Sequence, residues 1–176
     1  MIKMILSDKS LKSFSMKCMS GVDEENIQPN SIDLTLDGKR GCITPPLLSH
    51  QRCDKFEELV VPPQELVLVS TSEWIDVPNN VCCRVEGKSS LGRIGLLTHI
   101  TAGFIDSGFK GNITLELFNV GKYPIVLHNG CKIAQLVVEK LDNTVENLYD
   151  GNYLGQDKVT PSIHEQNFDG SSYEVW

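Results

Sequence analysis

A stretch rich in cations, hydroxyls and glycines lies at residues 86–93, with the sequence Glu-Gly-Lys-Ser-Ser-Leu-Gly-Arg. Backbone N–H groups approach an anion closely at glycine, hydroxyls donate hydrogen bonds, and Lys88 and Arg93 supply positive charge. The stretch therefore suits a phosphate group. It is not a P-loop, because that motif requires glycine where this chain has Cys82. From these residues alone, a phosphate cradle and a solvated turn both remain open.

A single aspartate, Asp106, follows a mainly apolar segment and directly precedes a turn that contains Gly108 and Gly111. An aspartate in this place often forms the turn itself by bonding to the backbone. Because a carboxylate is a pure hydrogen-bond acceptor, Asp106 can also hold a sugar hydroxyl. The pattern leaves both interpretations open.

A glutamate lies within a strand-like run that begins at residue 113. Strand alternation places Leu115 and Leu117 on one face and Thr114, Glu116 and Phe118 on the other. If only the leucine face is covered, Glu116 is simply hydrated. If both faces are covered, Glu116 is a buried carboxylate with a raised pKa, which suits proton transfer.

The histidines and cysteines do not form a metal-binding pattern. Zinc-dependent nucleobase deaminases carry His-x-Glu followed by Pro-Cys-x-x-Cys, and neither element occurs here. We therefore expect no zinc. Free thiols that serve as small core residues in a reducing compartment are favoured over disulfides. The six cysteines are Cys18, Cys42, Cys53, Cys82, Cys83 and Cys131.

The composition is that of an ordinary globular protein with an acidic balance. The 176 residues fit one domain, and the formal net charge is −7. Wrapping nucleic acid requires clustered cations, so nucleic acid is not an expected partner. We expect no membrane association, because no apolar run is long enough to span a bilayer and the start is too short for a signal peptide. These features predict a cytoplasmic protein, in the host cytoplasm if the source is viral.

The periodicity predicts one short helix followed by many short strands. The helix begins at Ser7 or Asp8 and ends near residue 16, with Leu11 and Phe14 on one face. Glycine, proline and asparagine turns separate the strand-like runs, which indicates a β-sandwich, jelly roll or barrel. The polar residues 156–176 are expected to form an arm that orders only against another surface. The predicted strands cover residues 66–71, 81–86, 113–119, 124–127 and 132–141.

Taken in order, these segments resemble the dCTP deaminase family, which shares its fold with trimeric dUTPases. The likeness extends over residues 5–162. The matching segments are residues 28–34 (Gln-Pro-Asn-Ser-Ile-Asp-Leu), 87–93, 101–111, 114–117, 124–125 and 130–136, with Tyr149, Tyr153, 155–156 and 160–162 in the tail.

The resemblance implies a mainly β fold, a distorted jelly roll or β-barrel of the dUTPase-like type with a short N-terminal helix. It implies one domain over residues 1–155 and a C-terminal arm over 156–176. It also implies a homotrimer with active sites at the subunit interfaces. The substrates would be dCTP and dUTP, with dTTP as a possible inhibitor and Mg²⁺ carried on the nucleotide phosphates.

The resemblance also assigns roles to individual residues. Glu116 would be the general acid–base that activates the water attacking cytosine C4 and protonates N3 and the departing ammonia. Ser89, Ser90 and Arg93 would approach the reacting centre and the phosphates. Asp106 would bind the deoxyribose 3′-hydroxyl. The other implied substrate contacts are Lys88, Gln135, Tyr149, Asn152 and Gln156 near the phosphates, and Thr101 and Ala102 near the base.

Two positions depart from the family pattern. The usual Lys-Tyr pair of the tail is Asn152-Tyr153 here, and the arginine that closes the family's Pro-Ser-Arg is Ile163. Both changes remove positive charge, so they put the affinity for phosphate in doubt.

Some family members release dUTP, and others cleave it further to dUMP. The first kind has His-Arg where this chain has Gly103-Phe104, so the resemblance favours the bifunctional kind. Three alternatives are a deaminase that releases dUTP, a dUTPase alone, and a silent nucleotide-binding regulator. The joint presence of Glu116, Asp106 and Ser89 beside a phosphate cradle argues against a silent relative.

Overall fold

The computed structural model describes residues 4–44, 52–165 and 172. The first helix, α1 (Asp8–Cys18), is amphipathic and buries Leu11 and Phe14. Ser7 occupies its N-cap position without a side-chain bond to the helix. The prediction of a short N-terminal helix is therefore confirmed, and it ends somewhat later than residue 16.

Strands are the main regular structure of the described residues. None of the helices in the described ranges is long and apolar enough to cross a membrane. The second helix, α2 (Ser89–Gly92), is a single turn. The strands are β1 (Met4–Ile5), β2 (Met19–Ser20), β3 (Ile32–Thr35), β4 (Cys42–Ile43), β5 (Arg52–Cys53), β6 (Glu58–Val61), β7 (Leu66–Asp76), β8 (Val81–Gly87), β9 (Leu96–Thr98), β10 (Phe104–Ile105), β11 (Lys110–Asn119), β12 (Ile125–His128) and β13 (Lys132–Lys140).

These strands form two larger antiparallel sheets and a separate two-stranded antiparallel sheet. The first sheet has the order β1-β13-β8-β10, with β3 also paired to β13. The second has the order β5-β4-β7-β11-β9, with β2 also paired to β7. Strands β6 and β12 pair separately. The prediction of a mainly β fold with few helices is confirmed.

One apolar core receives side chains from both sheets. Val69 of β7 and Leu115 of β11 join Val85 of β8 and Leu136 of β13 in a single buried cluster. Their alternation along each strand directs every second side chain inward, as the period of a strand requires. The long strands thus hold the two sheets together and fix the positions of the side chains on their other faces.

An irregularity in the longest strand pair sets the register near the candidate site. The pairing of β11 with β7 shifts between Asn112 and Thr114. The Asn112 side-chain amide stabilises the shift, because its Nδ2 donates to the carbonyls of Thr71 and Glu73. The Ile113 N–H donates to the Thr71 hydroxyl at 3.0 Å. This bonding compensates for the ladder bonds that the bulge removes.

The cysteines behave largely as small core residues. Cys42, Cys82 and Cys83 are buried, and burial is the main cause that raises the pKa of the Cys42 thiol to about 11. Such a thiol is a poor nucleophile at neutral pH. The free thiols in the described residues include Cys18, Cys42, Cys53, Cys83 and Cys131.

Candidate active site

The larger cavity, of about 600 Å³, lies against the outer face of β11. Its walls come from β7, from the segment between His99 and Asp106, and from the tail between Tyr149 and Glu165. Residues in the range 156–165 contact β11 of the same chain and close one side of the cavity. The rest of the predicted arm, apart from residue 172, lies outside the described residues.

Glu116 projects from β11 into this cavity. Leu115 and Leu117 are fully buried on the opposite face of the strand, and Thr114 and Phe118 are partly buried beside Glu116. The predicted alternation is confirmed. Glu116 itself is partly buried, so its surroundings lie between the two alternatives that the sequence left open.

His99 contacts the backbone of Glu116 in both directions. The His99 N–H donates to the Glu116 carbonyl at 2.7 Å, and His99 Nδ1 accepts from the Glu116 N–H at 3.4 Å. Accepting at Nδ1 assigns the ring proton to Nε2, which then donates to the Ala102 carbonyl at 2.9 Å. The backbone of His99 has a positive φ of 55°, which is uncommon for a residue with a side chain. His99 therefore joins the strand that carries Glu116 to the segment predicted to contact the base.

Gly103 lies where a side chain cannot fit. A Cβ at this position would meet the Val85 carbonyl oxygen at 2.6 Å. The two backbones are also joined by a hydrogen bond of 2.7 Å from the Val85 N–H to the Gly103 carbonyl. Close contact with β8 thus requires glycine here and fixes the course of the chain between Ala102 and Phe104.

Asp106 lies on the wall of the same cavity with an exposed side chain. Its carbonyl accepts from the Phe109 N–H at 3.2 Å, which forms the predicted turn. The backbone therefore makes the turn, and the carboxylate faces the cavity. This arrangement suits a carboxylate that accepts a hydrogen bond from a ligand hydroxyl.

Tyr149 and Gln156 close the cavity from the tail. The Tyr149 ring packs against Phe109 at a centroid distance of 5.9 Å. Gln156 Oε1 accepts from the Thr114 hydroxyl at 3.3 Å, and the same hydroxyl accepts from the Thr160 N–H at 3.1 Å. The tail is thereby bonded to β11 two residues from Glu116.

A second cavity, of about 440 Å³, lies beside α2. The predicted cradle residues Lys88, Ser89 and Ser90 line it, together with Gln135 of β13. The stretch forms one helical turn, since the N–H groups of Leu91 and the following glycine donate to the Lys88 carbonyl. The hydroxyls and the Lys88 ammonium in its lining suit an anion.

The structure thus divides the predicted site residues between two cavities that share no lining residue. The larger cavity receives Glu116, Asp106, Ala102, Tyr149 and Gln156. The smaller cavity receives Lys88, Ser89, Ser90 and Gln135. The exposed side chains of Arg93, Thr101 and Asn152 line neither cavity.

Sequence reasoning missed the positional roles of two residues. The sequence pattern tests the histidines only as metal ligands, although the position of His99 three residues before Ala102 is a usable signal. Tyr153 lines the larger cavity, and its hydroxyl accepts from the Ile163 N–H at 3.4 Å. Both departures from the family pattern, at Asn152 and Ile163, therefore adjoin one tyrosine that packs at the cavity.

Comparison with known proteins places the chain in a family. Residues 5–141 match the family model described as dCTP deaminase-like. The chain belongs to the dCTP deaminase-like family. It is 42% identical over 186 residues to the dUMP-forming dCTP deaminase of Mycobacterium marinum, and this match covers 94% of the chain and 98% of the relative. The dUMP-forming dCTP deaminase of Rhodococcus erythropolis is also 42% identical, over 96% of the chain and 100% of the relative.

A solved structure supports the fold of this family member. The 2′-deoxycytidine 5′-triphosphate deaminase of Agrobacterium tumefaciens superposes with a TM-score of 0.66 at 21% sequence identity. The match covers 78% of this chain and 49% of that one, so the matched region is about half of that protein. At this identity the likeness shows the fold alone, and it agrees with the predicted fold class.

Proposed function

We propose that the protein converts dCTP and two water molecules to dUMP, ammonia and pyrophosphate. The relatives that match nearly the whole chain support this proposal, since their names state both substrate and product. The observation that carries it in the structure is the partly buried Glu116 at the wall of a cavity large enough for a nucleoside.

The proposed deamination uses Glu116 as the proton carrier. Its carboxylate takes a proton from the water that attacks cytosine C4, and returns protons to N3 and to the ammonia that leaves. His99 bonds to the N–H and the carbonyl of Glu116, which fixes the backbone position from which the carboxylate extends into the cavity. The Ala102 carbonyl, which already accepts from His99, adjoins the predicted base site.

The second hydrolysis breaks the bond between the α- and β-phosphates. We propose that Asp106 holds the 3′-hydroxyl of the sugar and orients a second water near the α-phosphate. The close packing of Gly103 on Val85 leaves no space for a water on that side, so the glycine serves instead to fix the course of the segment that leads to Asp106.

We propose that the enzyme is a homotrimer in which each active site uses two subunits. The separation of the predicted residues into two cavities supports this arrangement, because Lys88, Ser89 and Ser90 of one copy would then face Glu116 of another. Ile94, Ile100 and Phe104 near these cavities are each more than half exposed, which suits an interface between copies. Arg93, exposed in one subunit, would reach the phosphates across the same interface.

The residues around the smaller cavity suit a phosphate better than a metal ion. They offer an ammonium and hydroxyl groups as donors, and the described residues contain no group of three or more metal-ligating side chains. We propose that Mg²⁺ is carried by the phosphate oxygens of the nucleotide, where it would neutralise their charge. Deamination would then proceed through Glu116 without zinc.

The substrate test compares dCTP, dUTP and dCMP as separate substrates, with Mg²⁺ present and dTTP as a competitor. The proposal predicts ammonia from dCTP only and dUMP from both triphosphates. Conversion of dUTP but never of dCTP would favour a dUTPase. Failure to consume either triphosphate would favour a nucleotide-binding regulator.

A further inference from the structure

A buried carboxylate lies next to the smaller cavity. Asp33 belongs to the segment 28–34, which resembles the family but received no chemical role from the sequence. It lies on β3, directly opposite Gln135 of β13, and only 2% of its surface is exposed. A buried aspartate is costly unless it is paired and hydrogen-bonded, so its partners indicate what it does.

Three side chains satisfy this carboxylate. The Lys88 ammonium lies 2.5 Å from Asp33 Oδ1, and the Lys132 ammonium lies 3.5 Å from Oδ2. Gln28 Nε2 also donates to Oδ2 at 3.2 Å. Lys88 is the nearer of the two lysines, and it also lines the smaller cavity.

We propose that Asp33 is a positioning residue that holds the Lys88 ammonium ready to bind the triphosphate of dCTP. This inference rests on the proposed function, which places the phosphates at Lys88. It also gives a role to the family segment that contains Asp33 and Gln28.

The physical reason is the flexibility of a lysine side chain. An unrestrained lysine loses much rotamer freedom when it binds an anion, and an anchor that orders it beforehand removes that cost from substrate binding. An ammonium has three donors, so one can remain on Asp33 while two reach phosphate oxygens. The strand backbone and Gln28 fix the anchor.

The charges around Asp33 also fit this role. Lys88 lies 2.5 Å from the carboxylate and lines the smaller cavity, whereas Lys132 lies 3.5 Å from it and does not line that cavity, so a ligand there would meet the charge of Lys88. The tail has Asn152 where the family pattern has lysine, so phosphate binding in this chain would depend more on Lys88 than in relatives that carry that lysine. A purely structural ion pair that fastens β3 to its neighbours would give the same contacts, and the experiment must separate the two roles.

A double-mutant cycle on the full-length enzyme makes that separation. The four proteins are wild type, Asp33→Asn, Lys88→Met and the double variant, and the readouts are KM and kcat for dCTP. Each single change is expected to raise KM about tenfold with kcat within about twofold. With Lys88 already replaced, Asp33→Asn is expected to raise KM by less than about twofold further, because its effect acts through the ammonium.

Two matched controls test specificity. Lys132→Met removes the more distant partner of the same carboxylate, and Asp76→Asn breaks the exposed ion pair with Lys110, whose atoms are 2.9 Å apart. Neither change is expected to move KM by more than about twofold. If Asp33→Asn does not fold, Asp33→Glu replaces it in the same cycle. Glutamate keeps the negative charge, but its side chain is one methylene longer and therefore shifts the Lys88 ammonium.

The outcomes separate the inference from the proposed site. An unchanged KM in Lys88→Met would refute the placement of the phosphates at Lys88. A raised KM in Lys88→Met but not in the Asp33 variant would refute the positioning role. An equal effect of the Asp33 change with and without Lys88 would also refute it, since a structural role acts independently of the ammonium. If the wild-type protein does not turn over dCTP, the proposed function fails. The double-mutant cycle is then measured with the calorimetric Kd of dCTP in place of KM.

Discussion

Two hydrogen bonds join His99, which follows β9, to the backbone of Glu116 in β11: the His99 N–H donates to the Glu116 carbonyl at 2.7 Å, and His99 Nδ1 accepts from the Glu116 N–H at 3.4 Å. The ring also reaches the Ala102 carbonyl. The His99 ring is thus hydrogen-bonded both to Glu116, the proposed proton carrier, and to Ala102, in the segment proposed to contact the base. The bonds fix the backbone of Glu116 relative to the backbone of Ala102, and both residues line the same cavity.

Glu116→Gln is expected to lower kcat for deamination by about 10²–10⁴-fold while the subunits still fold and bind dCTP. The amide keeps the shape of the side chain but cannot accept the proton from water. Ammonia release and calorimetric binding of dCTP measure the two effects. Glu58→Gln, at an exposed position on β6, is the control and should retain full activity. Near wild-type deamination by the Glu116 variant would refute the assigned mechanism.

Asn152→Lys is expected to tighten the binding of dCTP, because it restores a cation beside Tyr153. Asn152 is exposed, so the change costs the fold little. A well-placed charge-assisted hydrogen bond contributes about 1.5–3 kcal/mol. Isothermal calorimetry measures the change in Kd. An unchanged or weaker affinity would mean that the tail of the bound enzyme does not bring this position to the phosphates.

Gly103→Ala is expected to destabilise the protein by about 1–3 kcal/mol, because the new Cβ would press on the Val85 carbonyl. It should also weaken dCTP binding, since the displaced segment carries Ala102. Urea denaturation measures the free energy of unfolding. Gly92→Ala is the matched control for stability, as a Cβ there meets nothing within 4 Å. Equal stability of the two variants would contradict the packing described for Gly103.

The buried Glu73 predicts how the free energy of unfolding depends on pH. Burial is the largest cause that raises the pKa of Glu73 above its ordinary value of 4.5, against hydrogen bonds from Thr35 that lower it. The folded state therefore binds the proton more tightly than the unfolded state. The stability contributed by Glu73 is fully present below its unfolded pKa and is lost as pH rises through the higher folded value.

Urea denaturation of wild type and Glu73→Gln from pH 4 to pH 8 tests this sign. The free energy of unfolding of wild type, relative to the variant, should fall as the pH rises above about 4.5 and then become constant. A relative stability that rises over the same range would show that the bonds from Thr35 dominate over burial.

Much of the fold could be predicted from local pattern. The helix and the long strands follow from periodicity, and the two faces at Glu116 follow from strand alternation. Two-residue strands such as β4 and β10 carry no such pattern, so they could not be predicted. They exist because neighbouring strands supply their hydrogen-bond partners.

The candidate site was less accessible to sequence reasoning, because its contacts join distant segments. Asp33 and Lys88 are 55 residues apart, and nothing in either segment predicts that they meet. The division between two cavities likewise depends on the packing of β8, β11 and β13. The family resemblance predicted the candidate site residues, but only the three-dimensional arrangement shows which of them line the same cavity of one chain.

The products formed from dCTP test the central claim most directly. Purified enzyme is incubated with dCTP and Mg²⁺, and ammonia, pyrophosphate and nucleotides are quantified over the time course, with Glu116→Gln as the control. The account predicts that dUMP, pyrophosphate and ammonia appear in equal amounts and that free dUTP stays low throughout. Accumulation of dUTP with ammonia but without pyrophosphate would contradict it and would make the protein a deaminase only.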